Sequence, residues 1–381
     1  MNPDARRRRL LLLTTELLPA GAERVVHDLA VGLDPARWQV VVGSLRSPGG
    51  EHGAVADALV ARGIHVVPLR LRAKLDLPRA LGLLGLVRRF RPHLLHAHLF
   101  HANLAARLLG RPGGTRVIST HHVVERRRLP ARFLLERLTA GLDDATVCVS
   151  EAVARFARAE LGARADRLRV IVDGVDLDRF APREPGPARA ALGLPATGLL
   201  VGGVGRLDPQ KGWDVLLRTT PVLLQAHPGL RVVIAGQGPE EGALRRLAGQ
   251  LGLLERVSFL GWRPDPERVL AALDLVAIPS RWEGFGLVAA EALAAGRPVV
   301  ASAVDSLPEV LGEAAALVPP DDPAALGQAL AALLADPARR AALAAAGPSR
   351  AARFGLPAML AAYQELYEEL LRRPGGPPDV V

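Results

Sequence analysis

The chain has 381 residues, 49% of them apolar and 23% charged, with one cysteine and a formal net charge of +9. That size and apolar share suit two domains with a core each and exclude a disordered chain, while the lone Cys148 excludes a disulfide framework and suits a reducing compartment. The charge is uneven: residues 1–182 hold 29 Lys/Arg against 18 Asp/Glu, an excess of +11, and residues 183–381 hold 19 against 21, a balance of −2. Arginines at 6–9, at Arg88, Arg89 and Arg91, and at Arg126, Arg127 and Arg128 can meet an anionic membrane or nucleic acid; a solvated arginine-rich face is the competing reading.

The arginines at 6–9 and leucines at 10–13 imitate a secretory signal, but Thr14, Thr15 and Glu16 interrupt the apolar stretch, so a first buried strand is expected there. No apolar run approaches the roughly 18 to 20 residues that span a bilayer. The expected location is the cytoplasm, in solution or peripherally on the cytoplasmic membrane. After this strand, Leu18-Pro19-Ala20-Gly21-Ala22-Glu23-Arg24 opens a helix with Val25, Val26, Leu29 and Ala30 on one face. The stretch lacks Gly-x-Gly-x-x-Gly, which argues against a nicotinamide dinucleotide site, yet Gly21 can bring backbone N–H groups toward a ligand.

Short apolar runs at 38–43, 65–69, 94–98, 116–120 and 145–149 alternate with helix-like segments, a pattern that predicts a parallel sheet covered on both faces. Histidines gather at His93, His96, His98, His101, His121 and His122, with no Cys or carboxylate completing a metal shell at recognisable spacing. His121 and His122 follow the 116–120 strand directly, so at least one side chain should face a ligand cleft. Arg126, Arg127 and Arg128 then lead into 129–138, whose apolar residues form a helical stripe with arginines beside it. Such a segment can lie on an anionic surface; alternatively Phe133, Leu134 and Leu138 pack on the sheet.

A Pro/Gly-rich stretch at 181–187 interrupts the pattern and is the expected linker, giving domains over 1–182 and 183–356. A last helix is expected at 357–373, able to pack back on the first domain, ahead of an end expected to fray; together they make a third segment, 357–381. Between linker and tail the alternation restarts at 199–204, 231–235, 257–260, 275–279, 298–301 and 315–318, so both halves read as doubly wound α/β domains. Such domains bind ligands beyond the carboxyl ends of their strands.

Three loops of the second half fit that place. Gly205-Arg206-Leu207-Asp208-Pro209-Gln210-Lys211-Gly212 sets Arg206 and Lys211 around a tight turn before a helix starting near Trp213. The two cations can neutralise a departing diphosphate, although the spacing is not that of a P-loop and a surface loop with two incidental cations is the plain alternative. Gly236, after the next strand, permits close backbone approach to a ligand. Trp262 and Arg263 end the strand after that and can frame a nucleobase, or Trp262 can be an ordinary buried side chain.

The most informative stretch is Arg281-Trp282-Glu283-Gly284-Phe285-Gly286-Leu287, continuing as an apolar run that contains Glu291 and closes at Gly296. Glu283 falls on a loop and Glu291 on a helix, with the N–H groups of the first turn between them. Those groups and the helix dipole favour a phosphate, which flanking carboxylates would repel unless each binds neutral hydroxyls of the same ligand. A nucleotide sugar has that layout: sugar hydroxyls, diphosphate, ribose hydroxyls.

With these motifs in hand the chain resembles glycosyltransferase family 4 over almost its full length. The matching residues are Gly21-Ala22-Glu23-Arg24, Thr120-His121-His122, Val149-Ser150-Glu151-Ala152, Asp173-Gly174-Val175-Asp176, Gly205-Arg206 with Lys211-Gly212, Glu283-Gly284-Phe285-Gly286 with Glu291, and Leu307-Pro308-Glu309-Val310. The resemblance implies the GT-B fold, two facing Rossmann-like domains with a ligand cleft between them. It also implies a retaining, metal-independent transferase with no cofactor beyond a nucleotide-diphosphate sugar of UDP or GDP type. It gives Glu283 the sugar hydroxyls, Glu291 the ribose, Arg206 and Lys211 the diphosphate, the backbone of Phe285, Gly286 and Leu287 the sugar and phosphates, and His122 the first-domain cleft position. The expected acceptor is a hydroxyl of a lipid-linked or cell-envelope glycan, approached by His121, His122 and Arg126, Arg127 and Arg128; no nucleic-acid partner is expected. Three departures stand out: Ala20 before Gly21, Asp173 where the family usually has Asn, and Asp305 with Ser306 where it usually has small residues. A sugar-nucleotide epimerase of the same fold and a non-catalytic nucleotide-sugar-binding protein are the rival readings.

Overall fold

The computed structural model describes residues 7–46, 53–71, 77–126 and 130–374. They group into two compact units, Met1–Gly174 with Leu356–Val381, and Val175–Gly355. In the first unit seven parallel strands, β1 (Arg8–Thr14), β2 (Trp38–Ser44), β3 (His65–Pro68), β4 (Leu94–His98), β5 (Arg116–His121), β6 (Ala145–Cys148) and β7 (Leu168–Val170), lie in the order β3-β2-β1-β4-β5-β6-β7. Leu10, Leu11, Leu12 and Leu13 of central β1 are all fully buried. Leu10 and Leu12 join a core with Val25, Val26, Leu29 and Tyr363, while Leu11 and Leu13 join the opposite one with Leu83, Val87, Ala102 and Ala106. Side chains alternate across a strand, so a strand covered on both faces must be apolar throughout. That requirement is why this run mimics a signal sequence.

Strand β7 has no counterpart among the apolar runs of the sequence. It is three residues long, sits at the sheet edge, and carries Arg169, which pairs with Glu369 at 3.1 Å. An edge strand needs only one covered face, so its sequence signal is weak.

The second unit holds six parallel strands, β8 (Leu200–Val204), β9 (Arg231–Ala235), β10 (Val257–Gly261), β11 (Leu275–Ile278), β12 (Val299–Ser302) and β13 (Ala316–Val318), in the order β10-β9-β8-β11-β12-β13. Both sheets thus have a switch point, at β1/β4 and at β8/β11, where loops leave neighbouring strands in opposite directions and open a crevice.

The unit boundary falls at Gly174/Val175, ahead of the expected 182/183. The stretch 181–187 is not a linker: it leads into a helix, Pro185–Ala191, that packs in the second unit. Proline is well placed in a first helical turn, where its missing N–H has no intrahelical partner to lose, so here it opens an element rather than breaking one. The last helix, Leu356–Arg372, belongs to the first unit and buries Met359, Tyr363, Leu366, Tyr367 and Leu370, a stripe at helical spacing. The end expected to fray falls on 375–381, outside the described residues. Among the described residues no helix is long and apolar enough to cross a membrane.

Candidate active site

At the β8/β11 switch point two loops interlock. The loop after β8 contributes Gln210 and Lys211, and the loop after β11 contributes Arg281, Trp282 and Glu283. The Arg281 N–H donates to the Gln210 carbonyl at 2.7 Å, Gln210 Nε2 donates to the Trp282 carbonyl at 2.9 Å, and Lys211 Nζ meets Glu283 Oε1 at 2.6 Å. The Arg281 guanidinium also grips Asp214, in the first turn of the Trp213–Ala226 helix, with contacts of 3.0 and 2.8 Å. Strand pairing therefore brings together residues 72 positions apart in the chain.

Glu283 is buried, and its Oε1 also accepts a hydrogen bond from Ser280 Oγ at 2.8 Å. Lys211, Ser280, Glu283, Gly286 and Val288 line one pocket. Gly286 is the N-cap of the Leu287–Ala294 helix; its φ is 90°, no side chain caps the end, and the first amide to bond back is that of Ala289, to the Gly286 carbonyl. The N–H groups of Leu287 and Val288 precede that bond, at the positive end of the helix dipole. Glu291, also buried, stands one turn further on, above Leu287 and Val288. The anion-favouring helix start is thus bracketed by two carboxylates, one already neutralised by a lysine.

Around this centre, Arg206 is 59% exposed and pairs with Asp208 at 2.9 Å, while its carbonyl accepts the Trp213 indole N–H at 3.0 Å. Gly236 has φ 153°, and a Cβ there would overlap the Gly205 carbonyl oxygen, so its backbone and the start of the Arg206 loop approach as only glycine allows. Trp262 follows edge strand β10 and is 43% exposed, so it is a rim side chain rather than a core one. Arg263 is held by Asp265 at 2.8 Å.

The first unit has a different kind of site. His96 lies in the middle of β4 and His98 at its end, and His121 ends β5. Tyr367 Oη and Thr120 Oγ1 contact the two ring nitrogens of His96 at 2.7 and 2.6 Å, and His98 Nδ1 meets His122 Nε2 at 2.9 Å. Burial, reinforced by the neighbouring rings, pushes His96 and His122 down to about 3 and holds His98 well below the usual histidine value. Burial also brings His121 down to about 4, although Glu136 opposes the shift. At neutral pH all four rings are uncharged, so in the His98–His122 contact one ring donates and the other accepts.

His121 and His122 share a pocket with Phe100, Arg132, Phe133 and Glu136. The Pro130–Thr139 helix is fixed beside it by Arg107, which bonds Asp143 at 3.0 and 2.8 Å and also pairs with Glu136. Gly21 is the first residue of the Gly21–Gly32 helix, exposed, after β1. Arg126 is exposed, whereas Arg127 and Arg128 lie outside the described residues.

Sequence reasoning missed the Lys211–Glu283 pair, Ser280, and the partners His98 and Tyr367. Ser280 directly follows an apolar strand, and the remaining contacts are long-range pairings that a linear pattern does not carry. Among the described residues no group of three or more His, Cys, Asp or Glu is placed to hold a metal ion.

Comparison with known proteins agrees with this architecture. A family model described as Glycosyltransferase Family 4 matches residues 19–179, and one described as Glycosyl transferases group 1 matches 198–336. The D-inositol 3-phosphate glycosyltransferase of Corynebacterium urealyticum is 35% identical over 309 residues, covering 74% of this chain and 72% of that protein. A D-inositol 3-phosphate glycosyltransferase of Catenulispora acidiphila is 34% identical over 351 residues, 84% of each. Among solved structures, sucrose-phosphate synthase from Thermosynechococcus elongatus superposes with a TM-score of 0.81 at 26% identity, over 95% of this chain and 99% of that one. Anabaena HepE, solved with UDP and glucose, shares the fold with a TM-score of 0.83 at 23% identity, over 95% and 100%. Two Rossmann-like units of the GT-B type, both family models and relatives aligned over most of their length place the chain in glycosyltransferase family 4, and it is a glycosyltransferase.

Proposed function

We propose that the enzyme transfers a sugar from a UDP- or GDP-activated donor to an acceptor hydroxyl, with retention at the anomeric carbon. The observation that carries this reading is the Lys211–Glu283 pair beside the uncapped start of the Leu287–Ala294 helix, with Glu291 one turn beyond. A diphosphate at the helix start would compete with Glu283 for Lys211. The displaced carboxylate is then able to accept hydrogen bonds from the sugar hydroxyls, while Glu291 takes those of the ribose. Arg206 and Lys211 neutralise the charge that grows on the leaving diphosphate, so no metal is required. Family membership supports retention, and the solved relative bound to UDP and glucose supports the donor class.

The reading is tested by a thermal-shift screen of nucleotide sugars, in which a true donor at 100 times its dissociation constant adds about 2.7 kcal/mol, followed by NMR of the product. Turnover that persists in chelator with the donor's anomeric configuration supports it; inverted product, or donor consumed only by epimerisation, contradicts it.

On the acceptor side, the Pro130–Thr139 helix favours a lipid-linked or otherwise anionic glycan and a peripheral place on the cytoplasmic membrane. Phe133 turns inward onto Phe156, with ring centroids 6.0 Å apart, but Leu134 is 57% and Leu138 71% exposed. Exposed Leu108 and Leu142 lie on the neighbouring segments, and Arg111, Arg126 and Arg137 are exposed in the same region. Apolar side chains ringed by cations suit an anionic bilayer surface, each cation near it contributing about 1 kcal/mol. The relatives are named for D-inositol 3-phosphate, which is likewise anionic. Binding to vesicles with anionic lipid, falling with salt and in Leu138→Glu, is expected; no lipid dependence at low salt points to a soluble acceptor.

A further inference from the structure

Three successive residues after β12, the last of them opening the Leu307–Leu311 helix, pack on the turn that carries Glu283. The Glu283 N–H donates to Asp305 Oδ2 at 3.0 Å, Ser306 Oγ donates to the Phe285 carbonyl at 2.9 Å, and a Cβ added to Gly286 would come within 2.7 Å of Leu307 Cδ2. Ser306 and Leu307 are fully buried and Asp305 is half-buried. Asp305 makes its contact from left-handed backbone, φ 43°, a region that aspartate tolerates better than most side chains and glycine tolerates best. Glu283 is therefore held twice. Lys211 and Ser280 fix its carboxylate, and Asp305 fixes its main chain from another loop.

We propose that Asp305 is a positioning residue for donor-sugar recognition: its carboxylate anchors the Glu283 amide and so sets where the sugar-reading carboxylate points. The proposal rests on the reading that Glu283 holds the transferred sugar. A glycine at 305 would satisfy the backbone but leave the Glu283 amide without this acceptor, whereas an aspartate couples the β12 loop to the β11 loop. Because Asp305 acts at the sugar end of the turn, its loss should leave recognition of the nucleoside diphosphate alone unchanged.

The test compares Asp305→Gly, which suits the left-handed backbone and removes the acceptor, with Asp305→Asn, which keeps an acceptor oxygen. In the free protein, hydrogen exchange at the Glu283 amide should be about tenfold faster in Asp305→Gly and near normal in Asp305→Asn, at similar melting temperatures. With whichever of UDP-glucose, UDP-N-acetylglucosamine and GDP-mannose the wild type hydrolyses fastest, Asp305→Gly should raise the donor KM about tenfold with little change in kcat. Asp305→Asn should recover most of that loss, and the Kd for free UDP or GDP should not move. Unchanged amide exchange, an unchanged KM, or an asparagine variant no better than glycine overturns the proposal. Glu283→Gln assayed in parallel separates the two claims. A normal donor KM there sinks the sugar-holding role of Glu283, while a raised KM there beside a normal one in Asp305→Gly sinks only the positioning role.

Discussion

The two units place chemistry at the same kind of position, the carboxyl ends of strands at or beside a sheet's switch point, but they build it from opposite materials. In the second unit the β8 and β11 loops supply backbone N–H groups, a glycine N-cap and an ion pair between half-buried Lys211 and buried Glu283. In the first unit the ends of β4 and β5 supply neutral imidazoles, bonded to a tyrosine, a threonine and one another. The contrast reflects what each region can contact. Exchangeable charge suits an anionic ligand that arrives and leaves, whereas buried neutral rings give a fixed polar wall whose hydrogen bonds need no counterion.

If that contrast is right, the largest effect comes from removing the exchangeable cation. Lys211→Ala should lower turnover about 10² to 10³-fold, as loss of a preorganised charge donor typically does, while circular dichroism shows the protein still folded. Near-normal turnover would break the comparison at its stronger end.

The next effect is on folding. Gly236→Ala forces a Cβ onto the Gly205 carbonyl and a strained backbone onto alanine, which should cost about 2 to 3 kcal/mol in urea unfolding. Unchanged stability would show that the close approach of these two loops is not fixed.

The most graded effect is on pH dependence. His96, His121 and His122 have folded values of about 3, 4 and 3, below the unfolded 6.5. The unfolded chain therefore binds more protons between those limits, so their contribution is fully present above pH 6.5 and is lost as pH falls toward 4. Each proton taken up on unfolding gives a slope of about 1.4 kcal/mol per pH unit. Urea midpoints measured from pH 7.5 to 4.5 should fall, and His96→Gln should flatten the fall; an equal slope in that variant would contradict buried neutral imidazoles.

Much of this was legible in the residues themselves. Doubly covered strands must be apolar throughout, so residues 10–13 and 275–279 announced a central strand of each sheet, and Gly286 marked the start of the helix that carries Glu291. What the linear pattern could not carry was pairing. Lys211 and Glu283 were each recognisable, but their contact depends on β8 lying beside β11, and the roles of His98 and Tyr367 depend on the last helix returning to the first unit. Pro185 was misread because proline opens a helix as readily as it ends one. Trp262 stayed ambiguous because exposure at an edge strand leaves no periodic mark.

Calorimetric titration of UDP and GDP into wild type, Glu291→Ala and Glu283→Ala measures the division of labour across the helix start directly. Loss of the ribose contact should weaken nucleoside diphosphate binding about tenfold or more in Glu291→Ala. Glu283→Ala should bind the diphosphate as well as wild type or better, because Lys211 is released from its 2.6 Å partner. Equal losses in the two variants, or a loss confined to Glu283→Ala, would contradict the assignment.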